Sequence, residues 1–225
     1  MKLQLKSSNS TGRGRSVSVL RMPSFTEERV LRAQGFHYIA GIDEVGRGAL
    51  AGPVVAAAVI LPGRTDYGWL SEVRDSKQLS PKKREYLLAH ILDAAVAIGV
   101  GRINGKVIDS HGIVRATQMA MKAAVEGLSP QADALLIDYM SLPQVELPQK
   151  GITNGDCRCL SIACASIVAK VIRDKIMKEL DRVYPGYALA QHKGYGTREH
   201  LSCLYRLGPS PVHRQSFRPV REMMA

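Results

Sequence analysis

Two adjacent carboxylates, Asp43 and Glu44, stand inside Gly41-Ile42-Asp43-Glu44-Val45-Gly46-Arg47-Gly48, with the apolar Tyr38-Ile39-Ala40 before them and the apolar run Val54 to Leu61 after. These flanks put the pair where a strand ends and a glycine-rich turn begins. At such a junction a carboxylate stays reachable by a metal ion, and backbone N–H groups can approach a polar ligand with no Cβ atoms in the way. Two further acids stand where the chain changes state: Asp138 closes the apolar Ala134-Leu135-Leu136-Ile137, and Asp156 follows Asn154-Gly155 ahead of a long apolar segment. Each motif alone also fits something plainer: a surface turn, an aspartate leading into a loop, a helix N-cap for Asp156. Together, carboxylates at strand ends and helix starts can converge on one edge of a sheet, and they repel strongly unless cations sit among them. Oxygen donors suit magnesium or manganese. The reaction such a site serves best is phosphodiester hydrolysis, in which two ions hold the attacking water and the leaving oxygen. Regular strand geometry sends neighbouring side chains to opposite faces, so Asp43 and Glu44 share one site only if the strand ends or twists there.

Placing these acids requires a sheet. Ser24-Phe25-Thr26-Glu27 fits a capping box opening a short helix to about Gln34, closed by Gly35. A strand from about His37 to Asp43 follows, then the glycine turn, then a strand from Pro53 to Leu61 that is apolar without alternation, the pattern of a strand covered on both faces. So tight a connection makes this pair antiparallel and the sheet mixed. Ser80-Pro81 opens a helix to about Ala95, with Lys82, Lys83 and Arg84 as its solvated first turn; Ala97 to Ile103 reads as a strand, and a helix from about Val107 to Glu126 stops at Gly127. Ala134 to Ile137 is a short buried strand, after which Pro143 and Pro148 keep the chain irregular until about Lys150 to Thr153. Cys157 to Val183 has the composition of a buried helix stopped by Pro185 and Gly186, and a last helix runs from about Thr197 to Leu207.

The 225 residues suit one large domain, alone or with a small appendage, and show no repeat with a period of tens of residues. A formal charge of +11, spread along the chain, makes nucleic acid the natural partner, because phosphates give the lysines and arginines counter-charges. Cys157, Cys159, Cys164 and Cys203 lack zinc-site spacing and fit free thiols in a reducing compartment, so a cytoplasmic location is expected. Residues 1–23 carry Lys2, Lys6, Arg13, Arg15 and Arg21 with no acid and no sustained apolar core. That excludes a secretory signal; an organelle transit peptide shares the composition, and so does a disordered basic arm that adds nonspecific affinity for nucleic acid. No apolar run reaches membrane-spanning length.

Five blocks, in order along the chain, resemble the ribonuclease HII (type 2 ribonuclease H) family: Gly41 to Gly48 with Ala51-Gly52-Pro53-Val54; Asp75-Ser76-Lys77-Gln78-Leu79-Ser80; Ser161 to Lys170 with Arg173-Asp174; His192-Lys193-Gly194-Tyr195; and His213-Arg214-Gln215-Ser216-Phe217. The resemblance implies an α/β fold, an RNase H-like mixed sheet flanked by helices with a C-terminal helical extension. With the arm 1–23 and a leading helix 24–35 read from the residues, it leaves a catalytic domain 36–225, expected to be monomeric. It implies endonucleolytic cleavage of RNA–DNA hybrids, and cutting on the 5′ side of ribonucleotides embedded in duplex DNA, with Mn2+ or Mg2+, leaving 3′-hydroxyl and 5′-phosphate ends. Carried over, the catalytic and metal-binding carboxylates are Asp43, Glu44, Asp138 and Asp156. The ribose-sensing residues are Gly46, Arg47, Gly48 and Tyr195, and Lys77 is a phosphate contact. Asp174 is a partner for Lys170 or Arg173 on one helix face. Two positions depart from the family pattern. Asn154-Gly155-Asp156 replaces Lys-Gly-Asp, removing a cation beside an acid, and Asp138-Tyr139 replaces Asp-Gly, which demands space or a different turn.

Overall fold

The computed structural model describes residues 22–63 and 66–224; most of the basic arm lies outside them. Helix α1 (Thr26–Ala33) leads into strands β1 (Ile39–Val45) and β2 (Val54–Ile60); α2 (Pro81–Ala94), β3 (Ala97–Ile103), α3 (Gly105–His111) and α4 (Ile113–Glu126) follow. Then come β4 (Ala134–Asp138), β5 (Gln149–Ile152), the long α5 (Leu160–Val183), α6 (Leu189–His192), α7 (Arg198–Leu207) and α8 (Arg218–Glu222). One five-stranded sheet has the order β3-β2-β1-β4-β5, antiparallel on the β3 side and parallel where β4 joins β1 and β5 joins β4. The expected mixed sheet, with its antiparallel first pair, is therefore present. Among the described residues no helix is long and apolar enough to cross a membrane.

Every residue of β2 is buried, as its unbroken apolar run requires of a strand covered on both faces. Val55, Ala57 and Val59 pack with α2 and α5, while Val54, Ala56, Ala58 and Ile60 pack with Ala116, Ala120 and Ala124 of α4. Alternation divides β1 the same way: Ala40 and Ile42 face α4, and Gly41 faces α5. Gly41 must lack a side chain, since a Cβ there would lie 2.2 Å from the Ser161 carbonyl carbon. That close approach sets the start of α5 directly over β1.

Five local expectations change. Ser24 accepts from Thr26 N–H and Glu27 pairs with Lys150 at 2.7 Å, so no reciprocal capping box forms. The helix expected from Val107 to Glu126 is two, because Gly112 takes φ +77 and Asn104 caps an earlier start. The long helix begins at Leu160, three residues later than expected, after a 3-10 turn, Gly155–Cys157. Residues 149–152 form the edge strand β5, too short and polar to show a period. Arg84 is buried and holds the Ser76 and Leu79 carbonyls at 2.9 and 2.6 Å, so it is no solvated residue.

Candidate active site

The expected break at Asp43 does not occur: β1 stays paired with β2 through Asp43, Glu44 and Val45. What ends is the other edge, where pairing with β4 stops at Ile42 and Ile137. Asp43 and Glu44 therefore lie on a strand with one free side, next to Asp138 as it leaves β4. Asp43 points to the α5 face, where the Ser166 hydroxyl favours its ionised form; that hydroxyl meets Ser76 Oγ at 2.8 Å. The Glu44 N–H donates to Asp43 Oδ1 at 2.7 Å, and the Glu44 carboxylate meets Arg47 Nη1 at 3.3 Å. Asp138 Oδ1 accepts the Gly155 N–H at 2.7 Å, which draws the turn carrying the buried Asp156 against the end of β4. The N-cap of α5 is Cys159, so Asp156 does not cap that helix.

Burial, and then the neighbouring Glu44, hold Asp43 well above the usual carboxylate range. Burial likewise raises Glu44 against the pull of Arg47, and raises Asp138 against the Gly155 N–H. Asp43 and Glu44 each feel Asp138, and Asp138 feels Asp156, so the four acids form one electrostatic neighbourhood. Lys77 Nζ lies 3.8 Å from Asp156 Oδ2; burial lowers its affinity for a proton, but Asp75, Asp156, Asp43 and Asp138 outweigh that and raise it. Lys77 thus supplies a cation beside Asp156 where residue 154 is asparagine, and Asn154, at φ 54, tolerates a left-handed turn that would strain lysine. Among the described residues, these four largely buried carboxylates face only Lys77 and Arg47 as counter-charges. That donor set fits a hard divalent cation.

Asp75 is the acid that sequence reasoning left out of the site: its carboxylate, that of Asp156 and the Cys157 sulfur lie within 4.8 Å of one another. Its place two residues before Lys77 was the available signal. Burial, then Asp156, pushes the Cys157 thiol up to about 11, so the sulfur stays protonated at neutral pH. All four cysteines are free thiols. Arg84 fixes the Lys77 turn from α2 and reaches Asp174 at 3.5 Å, while Lys170 pairs with Asp174 at 2.7 Å. Arg173, the other partner expected for Asp174, is turned elsewhere.

Beyond β1 the chain runs through Gly46, Arg47 and Gly48, held by two buried arginines that have no carboxylate partner among the described residues. Arg214 donates to the carbonyls of Gly46 at 2.7 Å, Arg47 at 2.8 Å and Gly52 at 2.9 Å. Arg173 donates to those of Pro53, Lys193 and Ala51 at 2.9, 2.9 and 3.2 Å. Gly46 is obligatory: it sits at φ +92, and a Cβ would lie 2.1 Å from Arg173 Nε. Gly48 is exposed and faces open space, which leaves its backbone accessible to a ligand.

Tyr195 joins this turn through a bridge to Ala49, a Leu50 N–H to Gly194 carbonyl bond of 2.7 Å, and the Arg173 guanidinium 5.4 Å from its ring centre. Behind it lies a chain of histidines whose protons have one consistent assignment. The Ser210 N–H occupies His213 Nδ1 at 3.0 Å, so His213 donates through Nε2 to His200 Nε2 at 3.0 Å, and His200 Nδ1 donates to the Tyr195 carbonyl at 3.0 Å. Burial, more than any neighbour, lowers both rings to about 4 and keeps them neutral. His192 stacks on His200 with ring centres 4.2 Å apart. Sequence reasoning passed over Arg173, Arg214, His200 and His213 as parts of the site, although His213-Arg214 lay in a block of the resemblance.

The family model of ribonuclease HII matches residues 40–220, most of the chain and every group just described. The chain belongs to the ribonuclease HII family. A ribonuclease HII of Dehalococcoides mccartyi is 59% identical over 202 residues, 90% of this chain and 95% of that protein. The fold matches the crystal structure of the ribonuclease H2 from Pyrococcus horikoshii at a TM-score of 0.67, with 22% identity over 82% of this chain and 96% of that one. A crystal structure of Bst-RNase HIII in complex with Mn2+ superposes at 0.60, with 17% identity over 84% and 69% of the two chains. Membership in the ribonuclease HII family makes the chain a divalent-metal-dependent endoribonuclease, a phosphodiester hydrolase acting on RNA–DNA hybrids.

Proposed function

We propose that the enzyme cuts RNA in hybrids, and DNA strands on the 5′ side of embedded ribonucleotides, at Asp43, Glu44, Asp138 and Asp156, which would hold two Mg2+ or Mn2+ ions. The observation that carries this reading is the convergence of three acids with raised affinity for protons at the open edge of β1, one turn from Gly46 to Gly48. Bound metal would supply charge neutralisation and a water of lowered pKa. The residues themselves do the rest. Burial keeps the carboxylates poorly hydrated, the Glu44 and Gly155 N–H groups orient Asp43 and Asp138, and Lys77 offers a point charge to a phosphate beside Asp156. The exposed backbone of Gly48 and the half-buried Tyr195 present donors and a flat ring to a ribose 2′-hydroxyl, the group that separates RNA from DNA.

The test is a labelled duplex containing one ribonucleotide. Asp43→Asn and Asp138→Asn are each expected to abolish cleavage in Mg2+ and in Mn2+ while the protein still shifts the duplex on a gel; full activity of either variant overturns the assignment. The same assay separates two other readings. A protein that binds hybrids without cutting them gives a shift and no ligatable 3′-hydroxyl, and a general DNA nuclease cuts an all-DNA duplex at a comparable rate.

A further inference from the structure

Tyr139 follows Asp138 directly and has a backbone φ of 63. A bulky residue seldom adopts this left-handed conformation, which glycine takes without strain. Its neighbours enforce it: the Tyr139 N–H donates to the Ile152 carbonyl at 3.0 Å, and the Met140 N–H to the Asp138 carbonyl at 2.7 Å. The side chain gains nothing in return from the fold. It is 71% exposed, and among the described residues its hydroxyl has no hydrogen-bond partner and its ring no aromatic or cationic neighbour. Asn154, which also has positive φ beside a site carboxylate, is a residue type that tolerates that conformation.

In the sheet order β3-β2-β1-β4-β5, the turn holding Gly46 to Gly48 leaves β1 for β2, while Tyr139 stands at the end of β4 beside β5. Asp43 and Glu44 on β1 and Asp138 at the end of β4 stand between that turn and Tyr139. A strand laid across those acids, with its ribose at the glycine turn, continues over Tyr139. An exposed aromatic ring beside a phosphate-handling site is suited to packing flat on a sugar or a base. We propose that Tyr139 is a substrate-binding residue that packs against the nucleotide on the side of the cleaved phosphate opposite the sensed ribose. The proposal rests on the reading of the site given under Proposed function.

Steady-state cleavage of the single-ribonucleotide duplex, with thermal unfolding of each protein, tests it. Tyr139→Gly removes both ring and strain, so its Tm should equal or exceed that of the parent while KM rises about tenfold and kcat stays within about twofold. Tyr139→Phe should keep KM within about twofold of the parent, because the ring does the binding. A KM for Tyr139→Gly equal to the parent's, or a loss in Tyr139→Phe as large as in Tyr139→Gly, overturns the proposal. Failure of the parent enzyme to cut the duplex would instead overturn the proposed function, and it shows before any variant is made.

Discussion

At Asp43, burial and charge act against ionisation, and two consequences follow. In metal-free protein, a carboxyl whose folded pKa is raised contributes stability that is full below the ordinary carboxylate range and is lost as pH rises through the folded value. Asp43→Asn should therefore unfold later than the parent without metal at pH 7–8, by about 2–4 °C, as differential scanning calorimetry would show. Divalent metal should raise the Tm of the parent more at pH 8 than at pH 5, and that of the variant much less at either. Tyr195→Ala bears on the ribose side. It should lose more rate at a single ribonucleotide than on a long hybrid, where neighbouring sugars help position the strand; equal losses in parallel kcat/KM measurements would remove its selective role. The acids themselves were readable from sequence, since each stands at an apolar boundary. Asp75 was passed over because it reads locally as the cap of its own turn, a bond it makes to the Lys77 N–H at 2.9 Å, and its nearness to Lys77 was the one hint of more.

Elements were readable wherever burial imposed a period or an unbroken apolar run, as in β2, α2 and α7. They were unreadable where a single backbone event decided the outcome, as when Gly112 split one apolar stretch into α3 and α4. The strand end expected at Asp43 failed for a related reason. One strand can be paired on one side and free on the other, and no pattern within β1 records where β4 stops. The turn from Gly46 to Gly48 shows the same dependence on distant parts. Gly46→Ala should cost roughly 2 kcal/mol or more in urea unfolding, combining a strained φ with displacement of Arg173. Arg214→Gln, which uncouples three buried carbonyls, should cost about 2–4 kcal/mol. It should also narrow the preference for a ribonucleotide over all-DNA, a ratio that a uniformly weakened fold would leave unchanged.

For the molecule as a whole, the charge of +11 predicts binding dominated by phosphates, so KM should rise by at least about tenfold between 50 and 200 mM salt while kcat changes little. Stability should also depend on pH in a window set by His200 and His213. Their folded pKa values near 4 lie below the ordinary histidine value, so the unfolded chain binds more protons between about pH 4 and 6.5. This contribution should lower the urea midpoint as pH drops from 7 to 4.5, against the opposite contribution of Asp43, so the midpoint of His200→Phe should fall less than the parent's over that range. The two arginines that shape the glycine turn carry one last implication, for the order of synthesis. Arg214 lies 168 residues after the Gly46 carbonyl it holds. During translation the β1 carboxylates emerge early, but the loop beside them lacks the Arg214 guanidinium that holds the Gly46, Arg47 and Gly52 carbonyls until residue 214 is made. The glycine turn therefore takes its final shape only once the C-terminal segment has docked, and on the proposed function selective cutting waits on that step.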